Sequence, residues 1–137
     1  MIVTIRTGSI TDIEAVLGLW RATTDSSLTD DAGSVARLLA RAPDALLLAT
    51  DHDVLVGTVI VTWDGWRGAM YRLAVIPSRR RRGIATKLVS EGERRLRAHG
   101  ARRLHMIVAG DAVDAQAFWT SAGYEPSDQL RYVKNLG

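Results

Sequence analysis

The feature that most constrains the fold of this chain is one junction, where an apolar strand pattern passes through a basic turn into a long helical pattern. Pro77 follows the apolar run at residues 73–76, and four consecutive arginines then lead to Gly83. The stretch Gly83–His99 carries apolar side chains at helical spacing, and Gly100 follows it. Because proline interrupts a strand and glycine commonly ends a helix, the junction predicts a strand, a tight turn and a helix.

The remaining patterns predict short elements on both sides of this junction. Before it we expect a strand at Ile2–Arg6, a helix from the capping-box sequence Thr11–Glu14, a helix at Ser34–Arg41, a hairpin of Ala45–Thr50 and Val54–Trp63, and a strand at Gly68–Ile76. After it we expect a strand at Arg103–Val108, a helix capped by Asp111 or Asp114, and a last strand at Leu130–Lys134. This order predicts an α/β (α+β) fold, a mixed sheet with helices on its faces, in a single domain over residues 1–137.

Composition excludes several kinds of site. The chain has no cysteine, which removes disulfides, thiolate metal sites and a cysteine nucleophile. Its three histidines share no metal-ligand spacing, so we expect no metal. No apolar run approaches the ~20 residues of a membrane span, and the N-terminus lacks a signal-peptide pattern. We therefore expect a cytoplasmic protein without a membrane partner.

Positive charge is concentrated around and after the junction. Residues 78–105 carry a net charge of +8, whereas the rest of the chain carries −5. Such a block indicates a polyanionic partner, either a nucleic acid or a phosphorylated cofactor. The block contains no aromatic residue for base stacking, so we expect no nucleic-acid partner.

The turn itself has the chemistry of a phosphate site. The first amides of a helix lack intrahelical partners and lie at the positive end of its dipole. Gly83 allows a close backbone approach, and Ala85 keeps the next turn clear. The glycine patterns of nucleotide-binding P-loops and of dinucleotide-binding folds are both absent.

Two segments resemble the GNAT superfamily of N-acetyltransferases. Residues 80–85, Arg-Arg-Arg-Gly-Ile-Ala, fit its R/Q-x-x-G-x-G/A signature, and residues 115–124 resemble its A-x-x-F-Y-x-x-x-G-F/Y segment. The turn Asp64-Gly65-Trp66-Arg67-Gly68 is similar to the D-G-x-R-G turn of the bacterial YpeA-like branch.

The resemblance implies a mostly antiparallel sheet with two splayed central parallel strands, and acetyl-CoA as cosubstrate. The pantetheine arm would pair with backbone groups of Leu73, Ala74 and Val75, and an amide near Val75 would hold the thioester oxygen. The cofactor phosphates would lie against a run of seven residues: Arg80, Arg81, Arg82, Gly83, Ile84, Ala85 and Thr86. An amine acceptor would attack the thioester directly, and a homodimer is common in such families.

The usual acid–base residues of the family are replaced here. Tyr71 stands where many relatives have a glutamate base, and Trp119 where many have a tyrosine acid. The hydroxyl of Tyr124 could substitute as the acid. We rank Asp64 first as proton acceptor, with Asp25, Tyr71 or a water chain as alternatives. The candidates for contact with the acceptor are Trp20, Asp25 and Trp66. Trp20 could instead pack its helix onto the sheet.

The missing acid–base residues leave a second function open. A domain of the same fold could bind acetyl-CoA without catalysis, as a sensor or regulatory partner. Turnover distinguishes the two, because an enzyme releases free coenzyme A in the presence of an amine and a sensor does not.

Overall fold

The computed structural model describes residues 2–24 and 27–137, and within these ranges it contains five strands and four helices. In chain order they are β1 (Val3–Thr7), α1 (Ile13–Thr23), α2 (Ala32–Arg41), β2 (Leu46–Asp51), β3 (Val54–Trp63), β4 (Gly68–Val75), α3 (Ile84–His99), β5 (Leu104–Met106) and α4 (Val113–Ser121). Single 3-10 turns at Ile10–Asp12 and Pro77–Arg79 precede α1 and follow β4. The chain divides into two compact units, one up to Met106 and one from Ile107.

The strands form one sheet in the order β1-β2-β3-β4-β5. The first three pairings are antiparallel and the pairing of β4 with β5 is parallel, which confirms the mixed, mostly antiparallel sheet. The predicted hairpin is also present. His52 and Asp53 connect β2 to β3 with φ values of 49° and 65°, as a two-residue turn of type I′ requires.

Helices of the first unit cover both faces of this sheet. On one face, α1 and α2 pack their apolar side chains against Leu46, Leu48 and Ile60. On the other face, α3 lies so close that a Cβ atom at Gly92 would be 2.7 Å from Met70 Cε and 2.9 Å from Val61 Cγ2. The sheet is therefore the middle layer of the first unit, with helices packed on both of its faces.

Some boundaries differ from the sequence prediction. Asp12, not Glu14, completes the capping box, because its Oδ2 accepts from the backbone N–H of Ser9 at 2.8 Å. Neither Asp111 nor Asp114 caps α4, whose N-cap is Ala112.

The predicted last strand at Leu130–Lys134 is wrong, since residues 125–137 have no regular secondary structure. A strand exists only through pairing, and none of the described strands pairs with this segment. Its apolar side chains, such as Leu130 and Tyr132, are exposed.

None of the helices in the described part of the chain combines the length and apolarity needed to cross a membrane.

Candidate functional site

The parallel pairing between β4 and β5 is short. It joins Gly68 to Leu104, Ala69 to His105 and Met70 to Met106, and among the described residues of the first unit it ends there. Among the residues that the structure describes, the remainder of β4, up to Val75, pairs with β3 alone. The N–H of Ile76 donates to the carbonyl of Val56 on β3 at 3.0 Å. Since successive N–H groups alternate along a strand, the N–H of Val75 points to the open side.

A β-bulge interrupts β4 just after this pairing ends. Thr58 opposes Ala74 while Ile60 opposes Tyr71, so β4 has one more residue than β3 between these pairs. Arg72 lies in the bulge with φ 53°, a left-handed conformation that is costly for a residue with a side chain. The bulge thus changes the direction of the backbone where the open edge begins.

A buried hydrogen-bond chain fixes the bulge. The hydroxyl of Thr58 donates to the carbonyl of Arg72 at 2.9 Å, and its oxygen accepts from the indole N–H of Trp20, also at 2.9 Å. Thr58 is fully buried and Trp20 is 2% exposed. This corrects the assignment of Trp20 to the acceptor site: the ring belongs to the core and supports the bulge from behind.

The side chain of Arg72 ties the α1–α2 connection to β4. Its Nε donates to Asp30 Oδ1 at 2.9 Å and its Nη2 to Asp30 Oδ2 at 2.7 Å, a bidentate pair. The same Nη2 donates to the hydroxyl of Ser27 at 2.8 Å. The sequence prediction missed Arg72, Asp30 and Thr58, because no local signal marks an arginine with positive φ or a pair 42 residues apart.

The basic turn leads into α3 as predicted. Gly83 is the N-cap with φ 79°, and no side chain in the described part of the chain caps the helix. The first bond closing the helix runs from the N–H of Lys87 to the carbonyl of Gly83 at 3.1 Å. The amides of Ile84, Ala85 and Thr86 therefore precede it without an intrahelical partner. A Cβ atom at Gly83 would meet nothing within 4 Å, so the space in front of these amides is open.

The four arginines of the turn differ in their contacts. Arg79 Nη1 donates to Asp51 Oδ2 at 2.5 Å, and Arg80 Nε donates to the carbonyl of Val75 at 3.2 Å. Arg81 and Arg82 are exposed and have no hydrogen-bond or ion-pair partner among the described residues. Arg79 and Arg80 thus each have one contact within the protein, whereas Arg81 and Arg82 have none among the described residues and are available to a ligand.

Asp64 and Trp66 lie at the other end of β4. The eight residues of this strand separate the Asp64 turn from Val75 by about 20 Å. Asp64 Oδ1 accepts from the backbone N–H groups of Trp66 and Arg67, each at 2.7 Å. These bonds hold the pKa of the Asp64 carboxyl below its usual range. Both position and pKa argue against the first rank that the sequence prediction gave Asp64 as a base. Trp66 is 72% exposed at the same turn, also remote from Val75.

The other candidate catalytic residues lie in different places. Tyr71 is 44% exposed, directly precedes the bulge and pairs with Ile60, on the face that α1 and α2 cover. Tyr124 belongs to the second unit, where its ring packs edge-on against Trp119 with centroids 4.7 Å apart. Asp25 lies outside the described residues. Within the ranges 2–24 and 27–137, no group of three His, Asp or Glu side chains is placed to hold a metal ion.

Comparison with known proteins gives three findings on this arrangement. The model of the Acetyltransferase (GNAT) family matches residues 13–124. An acetyltransferase of Pectobacterium atrosepticum is 35% identical over 126 residues, covering 91% of this chain and 89% of its own. An acetyltransferase of Sodalis glossinidius is 34% identical over 120 residues, covering 87% and 84%.

Solved structures share the fold at lower identity. The PaiA N-acetyltransferase of Thermoplasma acidophilum, in complex with coenzyme A, superposes with a TM-score of 0.83 at 17% identity, covering 95% of this chain and 94% of its own. The aminoglycoside N-acetyltransferase AAC(6')-Iy, in complex with a bisubstrate analogue, gives 0.80 at 19% identity and full coverage of both chains. The family model covers most of the chain, and the acetyltransferases of Pectobacterium atrosepticum and Sodalis glossinidius are more than 30% identical to it over most of their length. This chain therefore belongs to the GNAT acetyltransferase family.

Proposed function

We propose that this chain transfers the acetyl group of acetyl-CoA directly to a primary amine. The observation that carries the proposal is the open edge of β4 leading straight into the uncapped start of α3. One surface thereby offers backbone groups for an amide-containing arm and amides for phosphate oxygens. Coenzyme A contains both parts, and structural neighbours of this chain were solved with coenzyme A or acetyl-CoA.

The cofactor-binding residues follow from this surface. Leu73, Ala74 and Val75 would pair with the pantetheine arm, and the amides of residues 83–86 would bind the pyrophosphate. Arg81 and Arg82 would supply positive charge beside it. Arg80 would contribute its terminal nitrogens, because only its Nε is used by the carbonyl of Val75.

The reaction needs no covalent enzyme intermediate. The amine nitrogen attacks the thioester carbon, a C–N bond forms, and the carbonyl oxygen becomes an oxyanion next to the N–H of Val75. The C–S bond then breaks, coenzyme A leaves as the thiolate, and the nitrogen loses a proton. Since a thiol has a pKa near ~8.5, the thiolate leaves readily without a strong acid.

We now rank Tyr71 above Asp64 for the path of the amine proton. Its partly exposed side chain adjoins the bulge, near the edge where the thioester would lie. A phenol hydroxyl both donates and accepts hydrogen bonds, so Tyr71 would hold a water molecule that carries the proton outward.

The proposal extends to the whole chain. The family match runs without a break across both compact units, which supports a single acetyltransferase domain. The Asp64–Gly68 turn sequence supports placement in the YpeA-like branch.

The test is amine-dependent release of coenzyme A, followed with a thiol reagent. The amines should include an aminoglycoside, spermidine, a lysine peptide and a peptide with a free N-terminus. Acceleration by one class above the hydrolysis rate without amine supports the transferase. Tight binding of acetyl-CoA without turnover of any amine would favour the sensor instead.

A further inference from the structure

The ion pair between Asp51 and Arg79 joins two parts of the chain that sequence alone does not connect. Asp51 is the last residue of β2, and Arg79 ends the 3-10 turn after β4. Arg79 Nη1 lies 2.5 Å from Asp51 Oδ2, and the Asp51 side chain is only 10% exposed. The other carboxylate oxygen, Asp51 Oδ1, lies 2.9 Å from His52 Nδ1. A buried carboxylate needs such partners, because an unpaired charge at this depth is costly.

The same ion pair fixes the position of the basic turn between β4 and α3. The backbone N–H of Arg79 donates to the carbonyl of Ile76 at 3.0 Å, and that of Arg80 to Pro77 at 3.3 Å. These bonds give the turn its shape, but they are local to it. Asp51 supplies the contact that anchors the turn to the β2–β3 hairpin. Arg80 adds a contact of its side chain with the end of β4.

We propose that Asp51 and Arg79 are positioning residues for the coenzyme phosphates, and that Arg81 and Arg82 supply the positive charge that meets them. The inference rests on the proposed function, in that the ligand of the turn is coenzyme A. It divides the four consecutive arginines by task. Arg79 holds the turn, so that the amides from Gly83 onward are in position before the ligand arrives.

An anchoring role and a purely electrostatic role of Asp51 predict opposite changes in coenzyme A affinity. Asp51 is an acidic residue beside a site for a polyanion. If it acted only through its charge, Asp51→Asn would strengthen coenzyme A binding, and would also free the Arg79 guanidinium for the ligand. If Asp51 acts by anchoring the turn, the same substitution weakens binding despite the more favourable charge.

The experiment is titration calorimetry of coenzyme A against the full chain and matched variants. We expect Asp51→Asn and Arg79→Gln each to raise Kd about tenfold, as loss of preorganisation does. The double variant should be little worse than either single one, because each single variant already breaks the ion pair that the two residues share. Arg79→Lys should recover part of the affinity. Asp53→Asn is the matched control, since it removes a neighbouring negative charge from the hairpin turn and leaves the pair intact.

The results distinguish three cases: Asp51 anchors the turn, Asp51 acts only through its charge, or the protein does not bind coenzyme A. Unchanged or tighter binding by Asp51→Asn would overturn the inference, as would additive effects in the double variant. Should Asp51→Asn unfold, Arg79→Gln and Arg79→Lys decide, because equal affinity of both with the wild type overturns the anchoring role. Absence of coenzyme A binding by the wild type would instead refute the proposed function, and the inference with it.

Discussion

Two turns at opposite ends of β4 deal with their backbone amides in opposite ways. At the β3–β4 turn, the carboxylate of Asp64 accepts from the N–H groups of Trp66 and Arg67. At the turn after β4, no side chain caps the start of α3, and Gly83 leaves open space in front of it. A turn that satisfies its own amides is complete as it stands. A turn whose amides and neighbouring arginines have no partner among the described residues can bind an anion.

The largest expected effect is on acetyl-CoA affinity, and it should differ between the two glycines with positive φ that flank α3. Gly83 and Gly100 have φ values of 79° and 96°, and a Cβ atom at either would meet nothing within 4 Å. Replacing either with valine therefore introduces a similar backbone strain. Only Gly83→Val fills the space before the uncapped amides, so its Kd for acetyl-CoA should rise about 100-fold or more, as when a ligand loses its principal contacts.

The control for this comparison is Gly100→Val, measured by the same titration. It should bind acetyl-CoA with nearly wild-type affinity, even though its thermal stability falls. Equal losses of affinity in both variants would mean that strain, not occupied space, explains the result.

The second effect concerns the proton path and compares the two ends of β4 directly. Tyr71→Phe should lower kcat/KM for the amine by about 10- to 100-fold, within the range of acid–base contributions. Asp64→Asn should change it by less than about threefold, because Asp64 lies far from the open edge and keeps its role in the turn. The two rates are measured under the same conditions by coenzyme A release. A severe loss in Asp64→Asn with normal rates in Tyr71→Phe would restore the ranking made from the sequence.

A smaller effect is expected from the exposed arginines. Arg81→Gln and Arg82→Gln should each weaken coenzyme A binding by about tenfold, the value of one charge-assisted hydrogen bond. The losses should shrink at high salt, because exposed charges are screened. Arg94→Gln is the control, since Arg94 carries the same charge but pairs with Glu91 on α3. A salt-independent loss, or an equal loss in Arg94→Gln, would contradict the assignment.

The smallest effect concerns the stability of the self-satisfied turn. The pKa of Asp64 is lowered by the hydrogen bonds from Arg67 and Trp66, so the ionised carboxylate stabilises the folded state. This contribution is complete above the unfolded-state pKa of about 3.9 and is lost as pH falls through the lower folded-state value. Asp64→Ala should therefore lower Tm at pH 7 and approach the wild type in strong acid. Asp64→Asn, which keeps an acceptor oxygen, should lower Tm less. A pH-independent difference would show that the charge has no part in it.

The sequence predicted the framework of the site because the relevant signals are local. Pro77, Gly83 and Gly100 mark the ends of β4 and α3, and the structure has both elements at the expected positions. The contrast between the two turns was not predictable in this way. The sequence does not distinguish a catalytic Asp64 from one that stabilises the turn. Only the geometry shows that its Oδ1 accepts hydrogen bonds from two backbone amides.

Residues that act over long separations were missed for the same reason. Asp51 and Arg79 are 28 positions apart, and the arginine run is uniform in sequence although its members have different contacts. The bulge at Arg72 depends on Thr58 and Trp20, which come from two other elements. The predicted strand at Leu130–Lys134 is an error of the opposite kind, because the segment contains strand-forming residues but has no pairing partner among the residues that the structure describes.

The central claim is that the uncapped amides at the start of α3 bind the phosphates of coenzyme A, and titration of ¹⁵N-labelled protein with coenzyme A tests it most directly. The backbone amide signals of residues 83–86 should show large shifts that saturate with the ligand, while those of Trp66 and Arg67 should barely move. Saturating shifts at the β3–β4 turn, with residues 83–86 unaffected, would contradict the account.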